Sequence, residues 1–330
     1  MKNKLFIPFI VLLLVILSAC GTDSGTPASS TPNTQDAQNA QNAQNADTTK
    51  EANPSEDTIT YQSEKGPVKV PAHPKRIVAL TYAPNVLSLD VPLVGVDQWT
   101  NANPLFKDKL EGVTVVSEED LETIIEQDPD LIIAGTEMKN LDKLNQIAPT
   151  VAFTWGKLDY LSQQLEIGKL LNKEQEAQAW IDDFKQRAEA IGSEIKAKEG
   201  DDVTVSVFET DSAKNFYVFG NNWARGTEIL YQAMGLKMPE KVEKDALGPG
   251  YFALSQEVLS DYAGDYIVLS RNSQADTAFM NTDIWKGIPA VKNGHVIEID
   301  TEAATYNDPI TLEYLLNIFK TGFLGDGSTD

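Results

Sequence analysis

Histidine and cysteine are almost missing from this chain of 330 residues, which holds two histidines, His73 and His295, and one cysteine, Cys20. A single thiol leaves no disulfide and no thiolate metal cage within the chain. The two histidines stand in Pro-Ala-His-Pro and Asn-Gly-His-Val, neither with a partner at metal-ligand spacing, so zinc or manganese capture has no donor set. No Gly-x-Ser-x-Gly elbow and no Gly-x-x-x-x-Gly-Lys phosphate loop is present. Gly248-Pro249-Gly250 with Ala253 imitates a dinucleotide fingerprint, but no strand-like run precedes it and it reads as a loop. An enzyme is not expected, carboxylate-only catalysis being the chemistry these absences leave open. Positive charge is short as well: 27 Lys and Arg face 49 Asp and Glu, a formal −22. That balance argues against nucleic acid and anionic membrane surfaces as partners.

What is there begins with Lys2 and Lys4, followed by 13 apolar residues from Leu5 to Leu17. This length suits a secretory signal and falls short of the ~20 residues of a membrane-spanning helix. Leu17-Ser18-Ala19-Cys20 resembles the lipobox of bacterial lipoproteins. The resemblance implies a signal peptide over 1–19, cleavage before Cys20 and diacylation of its thiol. Acyl chains, at about 0.8 kcal/mol per buried CH₂, would hold the protein on the outer face of the cell membrane. From Gly21 to Asp57 large apolar residues are nearly absent, and Gln-Asn-Ala repeats over Gln38–Ala46. Such a composition buries too little to offset ordering entropy, so 20–57 is expected to be a disordered tether.

The rest is longer than one core accommodates and predicts two lobes. Arg76–Leu80, Leu93–Val96, Val113–Val116 and Asp130–Ala134 are apolar runs, with a helix expected over Glu119–Gln127. Unbroken apolar strands separated by helices indicate a parallel sheet covered on both faces. Leu161, Leu165, Gly168 and Leu171, then Ala177 through Ile195, follow helical spacing, giving two helices broken near Asn172-Lys173 that join the lobes. Strand runs return at Val203–Phe208, Phe216–Phe219, Tyr266–Leu269 and Val296–Ile299, before a closing helix over Ile310–Phe323. The domains expected are 58–158, a linker over 159–198, and 199–330.

Both halves carry a Glu eight residues before an Asp that opens an apolar strand: Glu122 before Asp130, and Glu257 before Asp265. A helix dipole favours acids at such positions by roughly 0.3–1 kcal/mol, so either helix-end stabilisation or paired docking fits. Aromatics gather at one point, Phe216-Tyr217-Val218-Phe219-Gly220-Asn221-Asn222-Trp223-Ala224-Arg225-Gly226. A guanidinium fork suits anionic oxygens and flat rings make apolar walls, so Tyr217, Trp223 and Arg225 read as a binding loop.

The run from Gly220 to Gly226, with Glu228–Leu236, Tyr262–Ile267 and Tyr306-Asn307-Asp308-Pro309, resembles the bacterial iron-hydroxamate-binding lipoproteins. The likeness extends over about Pro74 to Leu324. These are receptors of ABC importers for ferric siderophores such as ferrichrome and ferrioxamine. The resemblance implies an α/β fold of two Rossmann-like lobes bridged by a long helix, the helical-backbone periplasmic-binding-protein fold, with the ligand in the cleft. It places Tyr82, Trp155, Tyr217, Trp223, Arg225, Tyr251 and Tyr306 around that ligand, with Arg225 donating to hydroxamate oxygens. Trp155 stands where relatives tend to have Tyr, and Tyr251 where they tend to have Trp, which leaves the preferred siderophore open. Glu122 and Glu257 match the acids that dock the permease. The iron would be held by the siderophore, with no cofactor and no protein metal ligand. Further partners implied are the permease with its ATPase, and the receptor is expected to be a monomer. A corrinoid or haem receptor of the same fold and a surface hydrolase are the alternatives, the scarce histidines weighing against haem.

Overall fold

The computed structural model describes residues 57–325 except 212–214 and 273. The expected signal peptide, Cys20 and all but the last residue of the expected tether lie outside them. An antiparallel hairpin, β1 (Thr58–Ser63) and β2 (Gly66–Pro71), opens the described chain. Its alternating strands bury Tyr61 and Val70 in the first lobe's core, and Tyr61 donates to Glu166 at 3.0 Å. The apolar-run reading passed over it, because a half-exposed hairpin alternates instead of running apolar.

The first lobe is a five-stranded parallel sheet made of β3 (Ile77–Ala79), β4 (Leu93–Val96), β5 (Thr114–Val115), β6 (Leu131–Gly135) and β7 (Thr150–Phe153). Its order is β5-β4-β3-β6-β7, so connections run outward both ways from β3 and reverse between β3 and β6. Every residue of β3 and β6 is buried, as helices on both faces require. Helices α1 (Ala83–Ser88) and α2 (Leu121–Glu126) belong to this lobe.

Two helices then cross over, α3 (Tyr160–Leu170) and α4 (Glu174–Glu199). They break at Leu171–Lys173, where Asn172 takes a left-handed φ of 56°. Helix α4 has 26 residues, about 39 Å at 1.5 Å rise each. Its Ala177 sits in the first lobe's core, and Phe184, Ala188, Ile191 and Ile195 sit in the second's. One rigid element is therefore anchored in both lobes.

The second sheet is β8 (Val205–Thr210), β9 (Phe216–Phe219), β10 (Tyr251–Leu254), β11 (Tyr266–Arg271) and β12 (Val296–Asp300), in the order β10-β9-β8-β11-β12. Only β8, β11 and β12 are parallel; β9 runs antiparallel to β8 and β10. The expected return of a parallel pattern is thus corrected to a mixed sheet. The short loop after β8 leaves no room for a crossover, which needs a dozen residues or more. The chain closes with α5 (Pro309–Leu324).

The repeated Asp has the same task in both lobes. Asp130 accepts from the backbone N–H of Lys75 and Arg76 at 2.7 and 3.0 Å, fixing the entry to β3. Asp265 accepts from the Thr204 N–H at 2.9 Å, fixing the entry to β8. Four helices share another device, Asp-x-x-Ser/Thr. Asp97, Asp120, Asp159 and Asp308 each cap a helix N-terminus and also accept a hydroxyl from Thr100, Thr123, Ser162 and Thr311. No described helix is long and apolar enough to cross a membrane.

Candidate functional site

Doubly wound sheets leave a crevice beyond the carboxyl ends of their strands, at the point where strand order reverses. Both sheets turn such ends toward one cavity of about 370 Å³, within the ~300–1,000 Å³ usual for small-molecule sites. Residues just after β3 and β7 line it from the first lobe, and residues beyond β9 and β12 line it from the second.

Tyr82 and Trp155 are the first lobe's aromatic contribution. Tyr82 follows β3 as the left-handed residue before α1, with φ 55°. Its ring meets Phe153 edge-on at 5.7 Å, and burial pushes its hydroxyl up to about 12, with Glu137 and Glu64 adding to the shift. Trp155 follows β7 and is 68% exposed. Its loop is tied down by the turn of the β1–β2 hairpin: Glu64 accepts from the Thr154 N–H at 3.1 Å, the Thr154 hydroxyl at 2.7 Å and Lys157 at 3.0 Å. Tyr160 and Gln163 of α3 also line the cavity, so the linking helices take part in the site, contrary to the expectation that they only join the lobes.

The second lobe supplies Trp223, Arg225 and Glu228. Two glycines set this loop. A Cβ on Gly250 would stand 2.4 Å from the Trp223 indole, and one on Gly226, at φ +78°, 2.4 Å from the Phe319 ring. Ala224 and Arg225 are left-handed too, and the Arg225 N–H donates to Ala304 O at 2.9 Å. Glu228 is fully buried. It accepts from the Ala224 N–H and from Asn307 Nδ2, both at 3.0 Å, lashing the loop to the 305–307 segment. Burial raises its carboxyl above the ordinary value, against those hydrogen bonds.

The Arg225 guanidinium is already engaged. Its Nε donates to Glu209 Oε2 at 2.8 Å and Nη2 to Oε1 at 3.1 Å, while Phe219 lies 5.1 Å beneath it. Glu209, near the end of β8, also accepts from Ser270 Oγ at the end of β11, at 2.9 Å. A guanidinium has five N–H donors, and this pairing occupies two. The wall therefore offers directed donors with their charge balanced, a feature without a motif signal because Glu209 ends an apolar run.

Tyr306 joins the two lobes instead of simply facing across them. Its ring packs on Phe106 of the first lobe at 5.8 Å, its hydroxyl stands 3.4 Å from Thr100 Oγ1, and burial pushes that hydroxyl up to about 12. Tyr217 and Tyr251 do not line the cavity; they continue its aromatic wall outward. Centroids run from Trp155 to Trp223 at 5.6 Å, on to Tyr251 at 5.4 Å and to Tyr217 at 6.0 Å. Glu122, in the first turn of α2, and Glu257, in a 3₁₀ turn over Gln256–Val258, are exposed and away from the lining. Among the described residues no cluster of His, Cys, Asp and Glu is placed to hold a metal ion.

A cavity between two lobes bridged by a long helix is the layout of a solute receptor. The periplasmic binding protein family matches residues 77–303, and the chain belongs to that family. It is a solute-binding protein and not an enzyme. It is 35% identical over 313 residues to the Iron(3+)-hydroxamate-binding protein FhuD of Bacillus subtilis, covering 92% of each chain. To the Iron(3+)-hydroxamate-binding protein YxeB of the same organism it is 34% identical, over 96% of this chain and 95% of the other. FhuD2 from Staphylococcus aureus, solved with bound ferrioxamine B, superposes with a TM-score of 0.71 at 36% identity, over 76% of this chain and 98% of that one.

Proposed function

We propose that this chain is the extracytoplasmic receptor for a ferric hydroxamate siderophore, delivering it as a monomer to an ABC permease and its ATPase. The observation that carries the ligand class is the Arg225–Glu209 pair: the lining has one guanidinium, and its charge is balanced. Iron(III) held by three hydroxamates is neutral, or singly positive on a scaffold bearing an amine, and asks for donors and flat walls. Three catecholates make a strongly anionic complex, whose desolvation beside Glu209 would go uncompensated. Trp223, Trp155, Tyr82 and Tyr306 serve as the walls and Arg225 donates to the hydroxamate oxygens, with Tyr217 and Tyr251 meeting any part of the ligand that extends outward. Lipidation at Cys20 would keep the receptor at the membrane.

Titration by tryptophan quenching at moderate salt tests this reading. Ferrioxamine B or ferrichrome should bind roughly tens of times more tightly than a ferric tris-catecholate. Tighter binding of the catecholate than of both hydroxamates refutes it. Glu122 and Glu257, exposed on separate lobes, are assigned to the permease. The Glu122→Ala/Glu257→Ala variant should bind siderophore normally and fail in cellular uptake, and normal uptake would reduce both to helix-end acids.

A further inference from the structure

Gln163 and Gln164 stand side by side in α3 and are both buried, at 6% and 1% exposure. Their amides fare differently. Gln164 Oε1 accepts from Asn85 Nδ2 at 2.9 Å and its Nε2 donates to Ser88 Oγ at 3.0 Å, locking α3 to α1. Gln163 lines the cavity, and its buried Nε2 has no hydrogen-bond partner among the described residues. Its backbone N–H is satisfied by Asp159 O at 2.8 Å, so the helix itself needs nothing from this side chain. A buried amide donor without an acceptor costs stability, and native proteins keep few of them. The rest of the lining from the first lobe and α3 is aromatic or apolar apart from hydroxyl and indole tips, and carries no charge.

We infer that Gln163 is a ligand-binding residue whose amide turns its unpaired Nε2 into the cavity to donate to an oxygen of the bound complex, opposite the donors that Arg225 presents from the second lobe. This rests on the ferric-hydroxamate reading and deepens it. An amide donor suits the uncharged or iron-neutralised oxygen of a hydroxamate and makes the contact without adding charge to the site. It also puts a directional contact on the linking helix α3, which Gln164 locks to α1, facing the donors of the second lobe.

Gln163→Leu and Gln164→Leu separate this role from packing, each measured for melting temperature and for ferrioxamine B affinity. Gln163→Leu should melt at or above the wild-type temperature, because an unpaired donor is removed, while binding weakens about three- to tenfold. Gln164→Leu should melt lower, because Asn85 and Ser88 lose their partner. Gln163→Glu, which replaces a donor by an anion, should weaken binding more than Gln163→Leu. A Gln163→Leu protein that binds like wild type, or that is destabilised as Gln164→Leu is, overturns the inference. Wild-type protein that fails to bind any ferric hydroxamate overturns the functional reading and this inference together, whereas the first result removes Gln163 alone.

Discussion

The two walls of the cavity are built on opposite plans. The second lobe's wall is over-determined: Arg225 is held by Glu209, Phe219 and Ala304, and Glu228 ties its loop to Asn307. Trp223 is backed by a glycine that admits no side chain. The first lobe's wall is lightly fixed. Trp155 touches Trp223 across the cleft but is largely exposed, and its loop is held by Glu64 and by the Thr136–Thr154 hydroxyl contact at 2.9 Å. Polar side chains fixed in advance lose little freedom on binding, so the second lobe should set which ligand is accepted. A wall that must still be ordered adjusts to the ligand's outline and contributes less. Evenly divided binding energy would break that contrast.

The largest effect should come from Arg225→Ala, at about 1.5–3 kcal/mol of binding, the range for charged hydrogen bonds. Melting temperature should fall as well, because Glu209, its side chain only 12% exposed, is left without its cation. Calorimetry with ferrioxamine B reads the first and thermal unfolding the second. Glu209→Gln sharpens the same point. It frees the guanidinium charge, so affinity for an anionic tris-catecholate should rise relative to ferrichrome; an unchanged ratio means that Glu209 does not govern selectivity.

Trp155→Ala should cost less, about 0.5–1.5 kcal/mol, since an exposed ring contributes chiefly its edge-to-face contact. A loss as large as that of Arg225→Ala would show that the loose wall is as decisive as the rigid one.

The smallest effect is a pH response at the Trp155 loop. Burial alone would raise the Glu64 carboxyl, but hydrogen bonds from Thr154 and Lys157, with the Lys157 charge, hold it below its usual 4.5. The clasp on the Trp155 loop is therefore fully present above pH 4.5 and is lost as pH falls through the lowered value. Hydrogen exchange corrected for intrinsic rates should show the Thr154 amide losing protection in that window, with the Arg225 amide unaffected. Glu64→Gln should abolish the step.

Much of the fold was legible because the buried strands are apolar runs and the linking helices keep helical spacing. Leu131–Gly135 and Ile181–Ile195 need nothing but local pattern to be recognised. Hairpin β1–β2 escaped the pattern because half-exposed strands carry polar residues on one face, whereas β7 (Thr-Val-Ala-Phe) and β10 (Tyr-Phe-Ala-Leu) are four-residue sheet edges too short to stand out. The Asp-x-x-Ser/Thr spacing marks four helix starts, including that of α3 beside the cavity. It recurs at Asp57–Thr60, leading into β1, and at Asp201–Thr204 before β8, so the spacing alone does not specify a cap.

For the site, residue type was visible and partnership was not. Composition and the Asn-Asn-Trp-x-Arg-Gly run selected the binding loop, and the near absence of His and Cys removed metal and thiol chemistry from consideration. Those conclusions depend on which side chains exist, and the sequence decides that alone. Whether Arg225 is free or paired, whether Gln163 or Gln164 carries the unsatisfied amide, and whether Glu64 reaches Thr154, 90 residues away, depend on contacts across β8, β11, α1, α3 and the hairpin. Hydrogen bonds act over about 3 Å and take no account of sequence separation, so only the tertiary structure could assign them.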